Sequence, residues 1–92
     1  MNMDYRIDLT GIGNRADLHD RLQEALPLPV WYGRNLDAFY DCLTEQAEEW
    51  NLTFCGTGDA DAVLPAYMDA LRRLCRAAQA ENDRLRVTFE QE

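Results

Sequence analysis

The sequence predicts an α/β fold, with a small three-stranded parallel sheet and three to four helices in the order β-α-α-β-α-β. Three short segments alternate apolar and polar residues, a pattern typical of strands with one buried face. The segments between them carry apolar residues at helical spacing and are long enough for the crossover connections that join parallel strands. The alternation in all three strands favours helices that lie mainly on one face of the sheet.

The first strand and the first helix are predicted from alternation and from capping residues. Tyr5–Leu9 alternates apolar and polar side chains and is predicted to be the first strand. A helix follows from Asn14 to about Leu26, where Asn14 is the N-cap and Asp17 takes the acidic position of a capping box. The two prolines that follow end this helix, because each disfavours helical backbone in the residue before it.

The second half of the chain is predicted to contain two strands and one main helix. Trp50–Cys55 is the second strand, Gly56–Asp59 is a loop, and Leu85–Phe89 is the third strand. The helix between the strands starts at about Asp61 or Pro65, with a short helical turn before the main one, and ends near Ala80. Its buried stripe is predicted to be Tyr67, Leu71, Leu74, Cys75 and Ala78, and its exposed face is predicted to be Arg72, Arg73 and Arg76.

Length and charge limit the classes of protein to which the chain can belong. The 92 residues predict a single domain over residues 1–92. Nine basic against seventeen acidic side chains give a formal net charge of −8, so the basic footprint needed to bind nucleic acid directly is missing. This charge would steer the protein towards basic partners or simply keep it in solution, and charge alone does not distinguish the two interpretations.

The cysteine and histidine content favours a cytoplasmic protein without a cofactor. We see no apolar run long enough to span a membrane and no signal peptide at the N-terminus. The three cysteines are an odd number without a C-x-x-C pair, which is typical of reduced thiols in the cytoplasm. His19 is the single histidine and is expected to lie at the surface or at its boundary, so no set of metal ligands is apparent.

The most informative stretch is a tight aromatic turn that leads into the second helix. Pro29 and Gly33 are its turn residues. Asn35 is the predicted N-cap of a helix that continues to roughly Glu48. The core side of that helix is predicted to be Leu36, Phe39 and Leu43, and the opposite side to be Asp37, Tyr40, Asp41 and Thr44.

The carboxylates of Asp37 and Asp41 lie one helical turn apart, which leaves three interpretations. Like charges at this spacing disfavour an isolated helix by a few tenths of a kcal/mol, roughly. The pair can be a solvated acidic face, a surface for a strongly basic partner, or paired carboxylates that serve an enzyme or hold Ca²⁺ or Mg²⁺. The third interpretation is disfavoured because further oxygen ligands are not visible and both carboxylates lie on one convex helix rather than across a cleft.

A run of short motifs resembles the barstar family, the small intracellular bacterial inhibitors of secreted ribonucleases such as barnase. The matching block runs without gaps from about Asp17 to Thr44. It contains Leu18-His19, Leu28-Pro29, Tyr32-Gly33, Asn35-Leu36-Asp37-Ala38 and Asp41-Cys42-Leu43-Thr44. The resemblance implies a barstar-like fold and a protein without enzymatic activity.

The resemblance also implies a mechanism, in which the second helix and the preceding loop plug the cationic active site of a ribonuclease. Asp41 matches the aspartate that occupies the phosphate site, and Asp37 matches a second contacting aspartate. The expected partner is a basic secreted ribonuclease or a ribonuclease toxin domain, bound one-to-one. The implied partner-binding residues are Trp31, Gly33, Asn35, Leu36, Asp37, Tyr40, Asp41, Thr44 and Glu45.

The sequence departs from the family pattern at several of these positions. Trp31 stands where the family has a tyrosine, and Tyr40 stands where it has a tryptophan. Glu45 replaces a glycine and Gln46 replaces a tryptophan. Ala77 stands in place of a contacting glutamate of the last helix, although Glu81 is retained nearby. An acidic interaction module with the same fold but a non-nuclease partner is therefore the alternative.

Overall fold

The computed structural model describes residues 2–90, which form one three-stranded sheet and four helices. The order is β-α-α-β-α-α-β, in which the short third helix is the helical turn expected before the main one. The elements are β1 (Asn2–Asp8), α1 (Arg15–Ala25), α2 (Leu36–Glu45), β2 (Glu49–Cys55), α3 (Gly58–Val63), α4 (Pro65–Glu81) and β3 (Leu85–Phe89). This architecture confirms the predicted fold class.

The sheet has the strand order β1-β2-β3, and both neighbouring pairs are parallel. Ile7, Phe54 and Phe89 lie side by side across the three strands. The rings of Phe54 and Phe89 stack with their centroids 4.7 Å apart. Because side chains alternate along a strand, this register brings the apolar residues of all three strands to one face. β2 shows the alternation clearly, since Trp50, Leu52 and Phe54 are buried while the residues between them are not.

The core lies between the apolar face of the sheet and the helices. α1 packs on β1, α4 packs on β3, and α2 packs on α4. The side chains with no exposed surface include Ile7, Leu18, Leu22, Phe39, Leu43, Leu52, Phe54, Met68 and Leu71. Met68 is a core residue that the predicted stripe of α4 omits. Burial of these side chains is the main stabilising contribution to the fold.

The start of α1 is capped from both directions. The Asn14 side chain accepts a hydrogen bond from the Asp17 backbone N–H at 2.8 Å, as predicted. The Asp17 carboxylate accepts from the backbone N–H of Gly13 at 3.0 Å, one residue earlier than in a standard capping box. The N–H of Asp17, which the helix start leaves free, is thereby satisfied, and so is the N–H of Gly13 just before the cap.

Several element boundaries differ from the sequence-based expectation. α2 ends at Glu45 rather than near Glu48, because Gln46 adopts extended backbone and its side chain bonds to the backbone of Glu48. α3 begins at Gly58, inside the segment predicted to be a loop. Pro65 occupies the first turn of α4, where a missing N–H leaves no helical hydrogen bond unmade.

The expectation that His19 lies at the surface is wrong. His19 is on α1 and only 1% of its surface is exposed. Its two ring nitrogens lie within hydrogen-bond distance of the hydroxyls of Tyr32 and Tyr67. Burial of the imidazole is therefore tolerated because both of its polar atoms have partners.

Candidate functional site

The loop between α1 and α2 and the helix α2 carry all nine residues implied as partner-binding. The structure exposes six of them: Trp31, Gly33, Asn35, Asp37, Asp41 and Glu45. The other three are partly buried: Leu36, Tyr40 and Thr44. These residues share one stretch of chain, from the loop to the last turn of α2.

Asn35 joins the loop to the helix. Its side-chain oxygen accepts from the backbone N–H of Ala38 at 2.8 Å, which confirms the predicted N-cap. Its side-chain nitrogen donates to the carbonyl of Gly33 at 3.2 Å. Both polar atoms of the amide are therefore used within the chain, so the side chain holds the turn in place and caps the helix.

The inward side of α2 is fixed by the core. Phe39 and Leu43 have no exposed surface, and Leu36 packs against the same core while remaining partly accessible. The hydroxyl of Thr44 donates to the carbonyl of Tyr40 at 3.0 Å, within the helix. The helix is thus a rigid support for the side chains on its outward side.

Asp37, Asp41 and Glu45 form an acidic stripe on α2, because residues four apart lie on the same helix face. All three are exposed, and among the described residues none of them forms a salt bridge. On the same helix, the pKa of the Cys42 thiol is raised mainly by burial. The nearby carboxylates of Glu45 and Asp41 raise it further. The stripe therefore presents three unpaired carboxylates that can accept hydrogen bonds from a cationic partner.

Arg34 anchors the loop to α1 in a way that the sequence did not predict. Its backbone is left-handed, with φ of 56°, so Arg34 is a turn residue in addition to the predicted Pro29 and Gly33. Its guanidinium donates to the Asp20 carboxylate at 2.7 Å, to the carbonyl of Ala16 at 3.1 Å and to the Gln23 side chain. The ion pair with Asp20 offsets the positive charge that Arg34 brings to this acidic surface. No pattern in the sequence pairs these positions.

Beside the acidic stripe lies an apolar groove of about 240 Å³. Trp31 forms part of its wall and is 64% exposed, and the neighbouring Val30 is fully exposed. The groove is lined by Pro27, Leu28, Pro29, Trp31, Cys42, Glu45, Gln46 and Trp50.

Arg72, one of the cations of α4, already has an acidic partner within the protein. Arg72 forms a bidentate pair with Asp61 of α3 at 2.7 and 3.0 Å, and its guanidinium lies over the Phe89 ring of β3. Its charge is therefore already neutralised. Ala77 and Glu81 are both exposed on α4, so the glutamate that the family pattern carries at position 77 is replaced here by a small apolar side chain.

The chemistry available at this surface is recognition by hydrogen bonds and charge. Within residues 2–90, no group of three or more His, Cys, Asp and Glu side chains is placed to hold a metal ion. None of the helices in this range has the length and apolar character needed to cross a membrane. The acidic stripe and the exposed Trp31 together combine an exposed aromatic side chain with charged neighbours, as protein-binding surfaces do.

Two comparisons relate the chain to known proteins. The sequence profile of a family described as "Barstar (barnase inhibitor)" matches residues 2–92. A protein of Bacillus subtilis (strain 168) named "Putative ribonuclease inhibitor YrdF" is 38% identical in an alignment over 78 residues, covering 74% of this chain and 85% of the relative. The profile match includes every candidate residue of the loop and α2.

Proposed function

Because the chain belongs to the Barstar family, we propose that it is a protein inhibitor of a basic microbial ribonuclease, either barnase-type or a ribonuclease toxin domain. The family description and the name of the relative both refer to inhibition of a ribonuclease. They favour an inhibitor over an enzyme. The single observation that supports the mechanism is the stripe of three exposed, unpaired carboxylates on a helix that the core holds rigid.

The acidic stripe takes the place of RNA phosphate in the nuclease. A ribonuclease active site is cationic because it binds a polyanion. Asp41 lies in the middle of the stripe, between Asp37 and Glu45, and enters the phosphate site, where arginine or lysine side chains donate charge-assisted hydrogen bonds to its carboxylate. Asp37 binds a second cation one turn away. Inhibition then requires no chemistry, since the bound helix excludes the substrate.

Trp31 supplies the apolar contact of the interface. A large aromatic side chain that is 64% exposed in the free protein gains contact area when a partner covers it. Tyr40 and Thr44 flank the stripe and complete the contact on α2. The loop is already anchored by Arg34 and Asn35, so little conformational entropy is lost when the complex forms.

The partner binds one-to-one in a reducing compartment, which we take to be the cytoplasm. Cys42, Cys55 and Cys75 are all free thiols, and two of them are buried. An inhibitor built without a disulfide suits a compartment where thiols stay reduced. There it protects the host from a nuclease before the enzyme leaves the cell or after the enzyme enters it.

The first test is a calorimetric titration into a barnase-type ribonuclease, with an RNA-cleavage assay alongside. We expect one-to-one binding with loss of cleavage. Asp41→Ala should weaken binding by at least about tenfold, because a hydrogen bond to a charged group contributes about 1.5–3 kcal/mol. Its melting temperature should be unchanged, because the side chain is exposed.

Glu24→Ala is the matched control, since Glu24 is an exposed acid on α1, close to Arg6 and Arg21. It removes the same charge and should leave inhibition intact. Equal potency of Asp41→Ala and wild type would disprove the phosphate-mimic mechanism. Absence of binding by the wild type to both barnase-type and toxin nucleases would favour the alternative, an acidic interaction module with a non-nuclease partner.

A further inference from the structure

A buried hydrogen-bonded bridge joins the partner-binding loop to the body of the protein. Nδ1 of His19 lies 2.6 Å from the Tyr32 hydroxyl, and Nε2 lies 2.7 Å from the Tyr67 hydroxyl. His19 is 1% exposed and Tyr32 is 5% exposed. His19 belongs to α1, Tyr32 to the loop before α2, and Tyr67 to α4. One imidazole therefore connects three separate parts of the chain.

Tyr32 lies at the centre of the loop, between Trp31 and Gly33. Its backbone N–H donates to the carbonyl of Pro29 at 3.0 Å and closes the turn. Its hydroxyl reaches back to His19, so the turn is held both by its own backbone and by α1. The position from which Trp31 projects therefore depends on the bond between His19 and Tyr32.

We propose that His19 is a positioning residue for nuclease binding, which acts through the hydroxyl of Tyr32 to hold the turn that presents Trp31 beside the acidic stripe. The inference rests on the proposed function and names a residue outside the contact surface. His19 itself does not touch the partner, because it is buried beneath the loop. Tyr67 satisfies the other nitrogen of the same ring and has no part in the loop.

The bridge is best matched by a neutral imidazole. A neutral ring has one N–H donor and one acceptor nitrogen, so one tyrosine accepts from it and the other donates to it. In an imidazolium both nitrogens donate, so the hydroxyl that had donated must turn to accept, and its own proton loses the imidazole acceptor. Proton uptake therefore leaves a hydroxyl proton unsatisfied and weakens the bridge on one side of the ring.

The surroundings of His19 keep the ring neutral near pH 7. The pKa of His19 is lowered mainly by burial, and the Arg34 guanidinium on the loop lowers it further. Asp20, on the same helix as His19, acts in the opposite direction. On the α4 side the ring faces the Tyr67 hydroxyl, and the Arg15 guanidinium lies 4.5 Å from the centroid of the Tyr67 ring. The cations therefore outnumber the single nearby anion around this ring.

The test compares Tyr32→Phe with Tyr67→Phe, because each variant removes one hydroxyl from the same imidazole. Both should lower the free energy of unfolding measured with urea. Tyr32→Phe should weaken nuclease binding about fivefold, the effect of one lost hydrogen bond on the position of the loop. Tyr67→Phe should bind within twofold of wild type, because its hydroxyl does not hold the loop. A twofold change in affinity corresponds to ~0.4 kcal/mol in the binding free energy. Equal binding by the two variants would overturn the positioning role.

A pH profile separates positioning from general stability. Wild type and His19→Gln are titrated with the same nuclease between pH 7.5 and 4.5, so titration of the nuclease cancels in the ratio of the two affinities. The pKa of His19 is lowered in the folded protein, so the ring gains its proton towards the acidic end of this range. His19→Gln has no proton to gain, and wild type should therefore lose more affinity there. A constant ratio would contradict the proposal.

Hydrogen exchange tests the tether without any nuclease. The amide of Tyr32, which bonds to Pro29, should exchange faster in Tyr32→Phe and in His19→Gln than in Tyr67→Phe. If wild type fails to inhibit the nuclease while this order of exchange rates holds, the proposed function fails and the tether stands. If the three variants exchange alike, the tether itself is disproved.

Discussion

The side-chain amide of Asn82 donates a hydrogen bond to the backbone carbonyl of Leu43 at 3.0 Å. The same nitrogen donates to the carbonyl of Gln46 at 3.0 Å, and the side-chain oxygen accepts from the backbone N–H of Arg84. The carbonyls in the last turn of a helix have no partner within the helix. Asn82, at the end of α4, supplies that partner and fixes the end of α2 that carries the acidic stripe.

Replacing Asn82 with Ala should therefore destabilise the protein. The change leaves two carbonyls and one N–H without partners at a site where only 7% of the residue is exposed. An unsatisfied buried polar group costs about 1–3 kcal/mol, so we expect a loss of at least about 2 kcal/mol in the free energy of unfolding. Urea unfolding measures it. Glu81→Ala, the exposed neighbour, should change the value by less than about 0.5 kcal/mol.

Gly56 should tolerate alanine much less well than Gly11. Both have positive φ, 59° and 79°, so both substitutions carry the left-handed penalty of about 1 kcal/mol or more. A Cβ on Gly56 would also lie 2.5 Å from Oδ1 of Asp8 and closer still to Oγ1 of Thr10, whereas one on Gly11 meets nothing within 4 Å. We expect Gly56→Ala to cost at least about 1 kcal/mol more than Gly11→Ala in urea unfolding. Equal costs would show that the contact relaxes freely.

The stability of the wild type should fall as the pH drops below about 6.5, the ordinary pKa of histidine. The folded protein lowers the pKa of His19, mainly by burial, so the unfolded chain takes up a proton that the folded chain does not. The contribution of His19 to stability is therefore fully present above the pKa that this residue has in the unfolded chain. It declines as the pH falls below that value. Asp8 and Asp61 also have lowered pKa values, but from an ordinary value of 3.8, so their effect belongs to more acidic solutions.

Urea midpoints at pH 7.5 and pH 5.5 distinguish these contributions. His19→Gln should show a smaller decrease than wild type over this interval, because His19 is the single histidine in the sequence. A wild-type midpoint that does not change would mean that the imidazole titrates alike in the folded and unfolded chains.

Added salt should lower the rate of association with the nuclease. It should change the rate of dissociation less. Three exposed carboxylates on α2 and a formal net charge of −8 attract a basic partner over a distance that salt screens. Raising the ionic strength from 0.05 to 0.5 M should slow association by about tenfold or more. Stopped-flow mixing measures it.

The double variant Asp37→Asn, Asp41→Asn is the control for this salt effect. It keeps the shape of both side chains and removes two charges from the stripe, so its association rate should depend less on salt. An equally steep dependence would mean that steering arises from acidic residues elsewhere on the surface.

Local signals in the sequence determined most of the architecture. The strands followed from alternation, and the start of α2 followed from Asn35, because a cap needs only backbone groups three residues away. Parallel pairing followed from the length of the connections. Asp37 and Asp41 could be assigned to one helix face from their spacing alone, and the structure leaves both exposed, with Glu45 one turn further along.

The tertiary structure decided what depends on partners distant in the chain. His19 appeared to be a surface residue because its partners, Tyr32 and Tyr67, are 13 and 48 positions away. The end of α2 is held by Asn82, 36 positions beyond Gln46, which donates to the carbonyls of Leu43 and of the capping residue Gln46. The Arg34 side chain is held by the Asp20 and Gln23 side chains and by the Ala16 carbonyl of α1. A polar side chain can be buried only where other groups supply its hydrogen bonds, and when those groups are distant in the sequence the pairing exists only once the chain has folded.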